Sequence, residues 1–512
     1  MGWIGLITII GIIQISYIYA PVSGLIWIIL SIPASVWIVV KILRNFSFEF
    51  INIFKTPTLV FPIIFTWIIF LYFSTLDSNY YDLGLYYEQF FLWISEYKVT
   101  PGIGNLHVQF GYSPLVHIIT TSMTFDIYNN SGTNVLILSF ITLILLNYMA
   151  FLLLFRKQTK ETLKIQNLIY SSLIVMVITY SGKNAQILLT SSSPDSFLLI
   201  IHVSIIFLIF NYFLLQDKVM LIISFNLALL SFLTRQISIV SVLAILFITF
   251  LVFKKSKGTL LMLSIYSFFL IFPNLIIKYI ISGYFFFPLP LTFTNPNFMV
   301  PQIYVQGTGN VISGSAFSVF NYYWGKLFPE LNYPSFLLLL LLFLIFMSIV
   351  FFLSLHLQKR GAGLFDPTNW PKLGLLLWSV VTLMIWALAP DPRFISYLLF
   401  SALIFIFYLL FSYLSSIILL RMRKPFYLVT LNMVVLILLL VNTNLRPSES
   451  KIIPLSEFKF NSFPLSTSTL VFYPADEKFD RCWNLSFPCI PRFDPELRLM
   501  TNSITGGFKR KN

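Results

Sequence analysis

LDSNYYDLGLYYEQFFLWISEYKVTPGIGNLHVQFGYSP, residues 76–114, is the longest polar interruption between hydrophobic runs before residue 282. It contains Asp77, Asp82, Glu88 and Glu96, so four of the 19 acidic residues in a chain of 512 fall in this one stretch. Because acidic residues are sparse elsewhere, this concentration predicts a function for the stretch. The hydrophobic runs on either side of it predict where it lies.

The composition around this stretch is that of a polytopic membrane protein. Hydrophobic residues make up 58% of the chain and charged residues only 10%, against about 25% charged residues in a soluble domain. The runs are long enough for α-helices that cross a bilayer, and none alternates with the period of a barrel strand. The net charge of +14 comes from short clusters between the runs, which is typical of cytoplasmic loops and not of a nucleic-acid interface.

Placing the basic clusters in the cytoplasm predicts an all-α fold of about thirteen transmembrane helices, with the N-terminus inside and the C-terminus in the periplasm. The predicted transmembrane domain covers residues 1–442, with periplasmic loops at 77–132 and 282–333, and residues 443–512 form a periplasmic tail. The predicted spans are residues 3–20, 22–41, 57–76, 133–155, 167–182, 195–216, 219–234, 236–253, 258–281, 334–354, 373–389, 395–419 and 425–442.

The turn at Arg235 decides on which side of the membrane each later segment of the chain lies. Two short helices on either side of Arg235 keep the basic cluster that begins at Lys254 in the cytoplasm. A single long helix is the competing interpretation, and it would move all later segments to the opposite face. With two helices, Asp77, Asp82, His107 and Arg235 all reach the periplasmic face.

The first loop has the pattern of an amphipathic helix followed by a second, shorter one. Tyr86, Gln89 and Trp93 recur at helical spacing after Asp82, and Pro101-Gly102 ends the pattern. Residues 113–124 are too short and polar to cross a membrane, which favours a second interfacial helix. Asp82 and Asp77 are the candidate catalytic bases, although an Asp that caps a helix start is an equally ordinary interpretation of either one.

A span, a carboxylate at its outer end, two surface helices and a returning span resemble the opening module of the C-class glycosyltransferases, polytopic enzymes that use polyprenyl-phosphate sugars. In that superfamily a carboxylate of the first loop is the usual catalytic residue. The resemblance therefore implies that Asp82 or Asp77 removes the proton from the acceptor hydroxyl.

The loop also resembles that of a bacterial family of polytopic membrane proteins, in which it reads approximately YDTGLYHLQ, VPGLGNLH and RLxFNSS. The chain keeps the YDxGLY and GNLH motifs but has Tyr87 for the family His, Gln109 for Arg and Ser113 for Asn. The family's SPD, PDPRF and Cys-Trp tail motifs have counterparts at residues 193–195, 390–394 and 482–483.

Cations on the predicted periplasmic face are candidates for binding a substrate phosphate. Arg393 and Asp391 lie in the PDPRF motif and Arg235 lies between two hydrophobic runs, where a guanidinium fork could stabilise the charge of a leaving phosphate. An Arg393–Asp391 ion pair that only fixes a helix end is the alternative. Lys278 is included weakly, because a lysine near a span end more often reaches to the interface. Tyr86 and His107 complete the predicted substrate-binding set.

The chain has two cysteines, Cys482 and Cys489, and both lie in the tail. They are expected to form a disulfide if the tail is periplasmic and to remain thiols if it is cytoplasmic. The four histidines show no metal-ligand spacing, so no metal site and no required cofactor are predicted. A divalent cation at the first-loop carboxylates stays open as an alternative without support.

These features predict an integral-membrane glycosyltransferase of the bacterial cytoplasmic (inner) membrane. It would move a sugar from a polyprenyl-phosphate donor to a glycan, lipid or protein acceptor at the outer face, with membrane lipids as partners and no nucleic acid. A surface-polysaccharide polymerase or ligase is one alternative. A lipid-linked glycan transporter or flippase, which would carry out no chemistry, is the other.

Overall fold

The computed structural model describes residues 2–22, 83–112, 114–123, 194–215, 218–253, 257–287, 294–306, 459–466, 469–475, 482 and 487–510. This part of the chain is mostly helical, as the composition predicts. The predicted spans at 22–41, 57–76, 133–155, 167–182 and all those after residue 333 lie outside the described residues.

Five apolar helices form the core of the described structure. They are α1 (Gly2–Tyr19), α4 (Pro194–Leu215), α5 (Lys218–Thr234), α6 (Ile239–Phe253) and α7 (Lys257–Ser282). Their bounds agree with the predicted spans at 3–20, 195–216, 219–234, 236–253 and 258–281 to within three residues. Leu227, Leu230, Ile205 and Ile209 belong to one apolar cluster that packs α4, α5 and their neighbours together.

The chain makes two helices around Arg235, as expected from the charge pattern. Arg235 itself has extended backbone angles, and the single turn Gln236–Ser238 leads from it into α6. His202 of α4 crosses to α6, where its Nε2 lies 2.9 Å from Ser241 Oγ, while its Nδ1 lies 2.8 Å from Leu198 O. The position of His202 inside an apolar run predicts a hydrogen-bonded core residue rather than a ligand, and these contacts agree with that prediction.

One helix in the described part of the chain, Gly258–Ser282 within α7, is long and apolar enough to cross a membrane. Its side chains Leu261, Ile265, Phe268 and Phe272 are all exposed, and their spacing puts them on one face. The described residues thus support membrane association through a helix with an exposed apolar side.

The first loop contains two helices, as predicted, with different bounds. A π-helical turn at Leu83–Tyr87 leads into α2 (Glu88–Glu96), and α3 spans Pro114–Met123. α2 ends five residues before Pro101, because the backbone becomes extended at Tyr97 and Val99 N–H then donates to Tyr17 O of α1. Phe90, Phe91, Trp93 and Ile94 are all buried, so the expected surface helix is instead covered on most of its sides.

The tail forms two small antiparallel hairpins. Strands β1 (Phe460–Pro464) and β2 (Leu470–Pro474) pair with each other, as do β3 (Leu497–Leu499) and β4 (Phe508–Arg510). The sequence STLVFYPA, residues 468–475, predicts one strand here, and β2 lies within it. Cys482 and Cys489 form a disulfide, the pairing predicted for a periplasmic tail.

Candidate functional site at the loop end of the helices

Three helices end on the same side of the described structure, which we call the loop end: α1 at Tyr19, α5 at Thr234 and α7 at Ser282. The first loop runs across this end. Val99 N–H donates to Tyr17 O at 3.1 Å, and Gly102 N–H donates to Ile280 O at 2.8 Å. The last carbonyls of a helix have no N–H partner within that helix. These two bonds supply such partners, and they attach the loop to both α1 and α7.

The turn at Arg235 meets the first loop through the segment after α7. Gln236 Nε2 donates to both Phe286 O and Phe287 O at 2.7 Å. The ring of Phe287 also packs edge-on against Tyr112, with 5.2 Å between ring centroids. These contacts hold Arg235, which is half-buried, at the loop end. They link it to Tyr112, which follows the first-loop acids in the sequence.

Tyr86 and His107, which the sequence predicts as substrate-binding residues, lie together. Their rings stack with 5.3 Å between centroids and 21° between planes. His107 is 8% exposed, and its Nδ1 accepts a hydrogen bond from Gln109 N–H at 3.3 Å. In the neutral ring that bond leaves the proton on Nε2, so this nitrogen can donate to an acceptor such as a hydroxyl or phosphate oxygen.

His117 of α3 lies in an aromatic cage that sequence reasoning missed. The ring centroids of Tyr87, Phe90 and Phe91 lie 4.6, 5.3 and 5.5 Å from that of His117. The residue is 1% exposed, and neither ring nitrogen has a hydrogen-bond partner in the described structure. Burial lowers the pKa of His117 to about 3, because the apolar cage cannot solvate the imidazolium.

His117 should therefore weaken the fold at acidic pH. Its folded pKa of about 3 lies below the unfolded value of about 6.5, so the stability present above pH 6.5 is lost as the pH falls toward 3, by about 1.4 kcal/mol per pH unit. We expect His117→Phe to flatten the decline of the melting temperature between pH 7 and pH 4.5, and to raise it at pH 7 by removing two unpaired polar atoms.

His202→Phe is the matched control for that measurement. It also replaces a buried imidazole, but it removes the bonds to Leu198 and Ser241, so it should lower the melting temperature at pH 7. Equal pH profiles for the wild-type chain and His117→Phe would contradict the assignment of the acid sensitivity to His117.

Lys278 is buried, contrary to the expectation that it reaches to the membrane interface. Lys278 lies one helical turn before the end of α7. It is 3% exposed, because the packing of Ile277 and Ile281 into the core turns this side of the helix inward. The structure thus brings Lys278, Arg235, His107 and Tyr86 to the loop end. Asp77, Asp82, Asp391 and Arg393 lie outside the described residues, and their roles stay predictions.

The GNLH motif holds the tail. Asn105 Nδ2 donates to Phe298 O at 2.9 Å and to Phe508 O at 3.3 Å, while Arg510 donates to Asn105 O at 3.1 Å. Gln89 of α2 accepts from Cys489 N–H at 3.1 Å. Asn105 and Gln89 belong to motifs noted in the sequence, but their contacts lie about 400 residues away in the chain, where no local pattern could indicate them.

The described ranges contain no group of three His, Cys, Asp or Glu side chains placed to hold a metal ion. The first-loop carboxylates Asp77 and Asp82 lie outside these ranges. The prediction on metals therefore stays a prediction for those two positions.

Comparison with known proteins places the chain in a family. No curated protein and no solved structure matches it. One family model matches residues 1–400, which include the first loop, the Arg235 turn and the PDPRF motif but not the tail. Since the match spans well over half of the chain, the protein belongs to the family described as Domain of unknown function (DUF8201).

Proposed function

We propose that the protein is an integral-membrane glycosyltransferase with about thirteen transmembrane helices. It transfers a sugar from a polyprenyl-phosphate donor to a glycan, lipid or protein acceptor at the outer face of the bacterial cytoplasmic membrane. The resemblance of the first loop to C-class glycosyltransferases motivates the reaction, and the described structure supplies supporting observations.

The observation that carries the proposal is the meeting of the first loop with the Arg235 turn. Phe287 accepts from Gln236 through its backbone and packs against Tyr112 through its ring. The described part of the first loop, which follows the candidate base Asp82 in the sequence, and Arg235, a cation 153 positions after Asp82, thus share one end of the helices. A transferase of this class needs both groups there, a base for the acceptor and a cation for the phosphate.

The membrane setting is supported by the exposed face of α7. Met262, 74% exposed, extends the apolar surface made by Leu261, Ile265 and Phe268, and an apolar area of this kind is costly in water. Ser264 on the same helix donates its hydroxyl to Leu260 O at 2.9 Å. That bond satisfies the hydroxyl within its own helix, as a lipid-facing serine requires.

The reaction follows from these roles. The acceptor hydroxyl oxygen bonds to the anomeric carbon of the sugar as its proton passes to the Asp82 carboxylate. The bond from the anomeric carbon to the phosphate oxygen breaks with its electron pair, and polyprenyl phosphate leaves. Arg235 and Arg393 stabilise the charge that grows on this phosphate, while His107 and Tyr86 contact the sugar or the acceptor.

Donor chemistry tests the proposal directly. The purified chain in lipid vesicles should transfer sugar from a polyprenyl-monophosphate sugar and leave polyprenyl monophosphate as the product. Transfer only from a diphosphate-linked oligosaccharide would instead indicate a polymerase or ligase, and movement of an intact lipid-linked glycan across the bilayer without transfer would indicate a flippase.

Reporter fusions test the orientation separately from the chemistry. Fusions after residues 95, 235 and 450 should all report a periplasmic location. A cytoplasmic signal after residue 95 would remove the first loop from the outer face and contradict the proposed site.

A further inference from the structure

α7 carries a polar stripe on its buried side. Asn274, Lys278 and Ser282 follow one another at intervals of four residues and are 0%, 3% and 0% exposed. This spacing puts them on one side of the helix, turned away from the exposed face that contains Ile265 and Phe272. The stripe runs toward the loop end, where Ser282 O accepts from Val300 N–H at 3.0 Å.

Asn274 lacks hydrogen-bond partners, and Lys278 has no counter-charge among the described residues. Ser282 Oγ donates to Lys278 O at 2.8 Å and accepts from Tyr284 N–H at 3.2 Å. By contrast, neither amide atom of Asn274 has a partner. Within the described part of the chain, no carboxylate pairs with the Lys278 ammonium; the ion pair found there joins Arg510 to Asp494 in the tail.

α1 adds a further polar group beside this stripe. Gln14 Nε2 donates to Leu270 O at 3.4 Å, one turn before Asn274, and Gln14 Oε1 has no partner. A buried amide without partners and a buried charge without a counter-charge each cost free energy of folding. Their position side by side on α7 indicates a site whose ligand accepts hydrogen bonds from the Asn274 N–H₂ group and the Lys278 ammonium.

We propose that Lys278 and Asn274 bind a phosphoryl group between α1 and α7, below the first loop. An ammonium and an amide N–H₂ both donate hydrogen bonds, and phosphate oxygens accept them without bringing a donor of their own. The partial charge at the end of α7 also favours a lysine, but it leaves the Asn274 N–H₂ group unsatisfied, whereas phosphate oxygens accept from both the ammonium and this N–H₂ group.

This site deepens the proposed function, because the phosphate of a polyprenyl-linked donor is one source of the ligand. Lipid headgroups and free phosphate share the same chemistry. Three probes distinguish them with the full chain: inorganic phosphate in detergent, farnesyl phosphate in detergent, and nanodiscs that contain phosphatidylglycerol instead of phosphatidylcholine alone. Binding is measured as the shift in melting temperature with ligand concentration.

Lys278→Met removes the charge and keeps the apolar stem. We expect it to weaken binding of the effective probe by about tenfold or more, the change that loss of one charge-assisted hydrogen bond produces. Without ligand, the variant should melt at the same temperature as the wild-type chain or higher, because it removes an unpaired buried charge. Asn274→Leu should weaken binding of the same probe without changing the preferred source.

Lys98→Met is the matched control, because Lys98 is exposed in the first loop and its loss changes the net charge equally. It should leave the affinity unchanged. The proposal is overturned if no probe binds more weakly to Lys278→Met than to the control, or if Lys278→Met lowers the melting temperature of the ligand-free chain. If phosphate binding depends on Lys278 but the protein fails the sugar-transfer assay, the proposed function is contradicted and the phosphate site is retained.

Discussion

Asp82→Asn should abolish sugar transfer from the polyprenyl-phosphate donor while the protein still folds and inserts. An amide cannot take the proton of the acceptor hydroxyl, and general bases contribute about 10²–10⁴-fold to rate. The substitution preserves size, so the neighbouring turn at Leu83–Tyr87 should be undisturbed. The measurement is the initial rate of transfer with matched amounts of purified protein.

Two further variants make that result specific. Asp77→Asn tests the rival carboxylate, and loss of transfer there with full activity in Asp82→Asn would assign the base to Asp77. Glu96→Gln removes an exposed acid at the end of α2 and should leave the rate unchanged. Full activity in both Asp variants would contradict the assignment of a first-loop base.

Gly102→Ala should detach the tail from the first loop and lower the melting temperature. Gly102 has a φ of +68°, and a Cβ atom there would collide with the backbone oxygen of Phe508 and approach Phe298 Cβ to 2.9 Å. A left-handed conformation costs a non-glycine residue about 1–2 kcal/mol, and the backbone collision adds to that cost. Since Phe508 N–H bonds to Pro101 O at 3.0 Å, β4 should separate from the loop.

Hydrogen exchange and limited proteolysis at residues 487–510 provide the measurement, together with the melting temperature. Gly258→Ala is the matched control, because no atom lies within 4 Å of a Cβ built at Gly258. Alanine also stabilises a helix relative to glycine by roughly 0.5–1 kcal/mol. Wild-type protection of the tail in Gly102→Ala would show that the GNLH segment does not hold it.

Gly102→Ala also separates structure from chemistry at the loop end. If the docked tail positions α2, through Gln89 and Cys489, then its release should lower sugar transfer in parallel with the loss of protection. The effect should be weaker than that of Asp82→Asn, because positioning is impaired and the base remains.

Features with a local physical cause could be predicted from the sequence. The break at Arg235 follows from a charge between two apolar runs, which cannot continue as one buried helix without a high cost. The core role of His202 follows from an imidazole inside an apolar run, and the disulfide from two cysteines close in sequence in a polar tail. In each case the residues that decide the outcome are near neighbours in the chain.

Features that depend on distant packing could not be predicted in this way. The pattern of α2 predicted one solvent-exposed face. Trp93 is nevertheless 1% exposed, because the ring centroids of Phe487 and Phe508 lie 4.8 and 5.6 Å from that of Trp93. The cage around His117 arises because α2 and α3 pack together, and helical periodicity gives no information on which residues a second helix supplies.

The sequence alone determined a mostly helical chain with apolar helices and a polar, acidic first loop, because hydrophobic length and charge spacing are local properties. Only the tertiary structure decided that α7 turns Lys278 and Asn274 inward, that Gln236 joins the Arg235 turn to the first loop, and that the tail closes over GNLH. Those arrangements depend on which helix ends meet, and their contacts span up to 405 positions of the chain. No pattern within a single helix specifies such contacts.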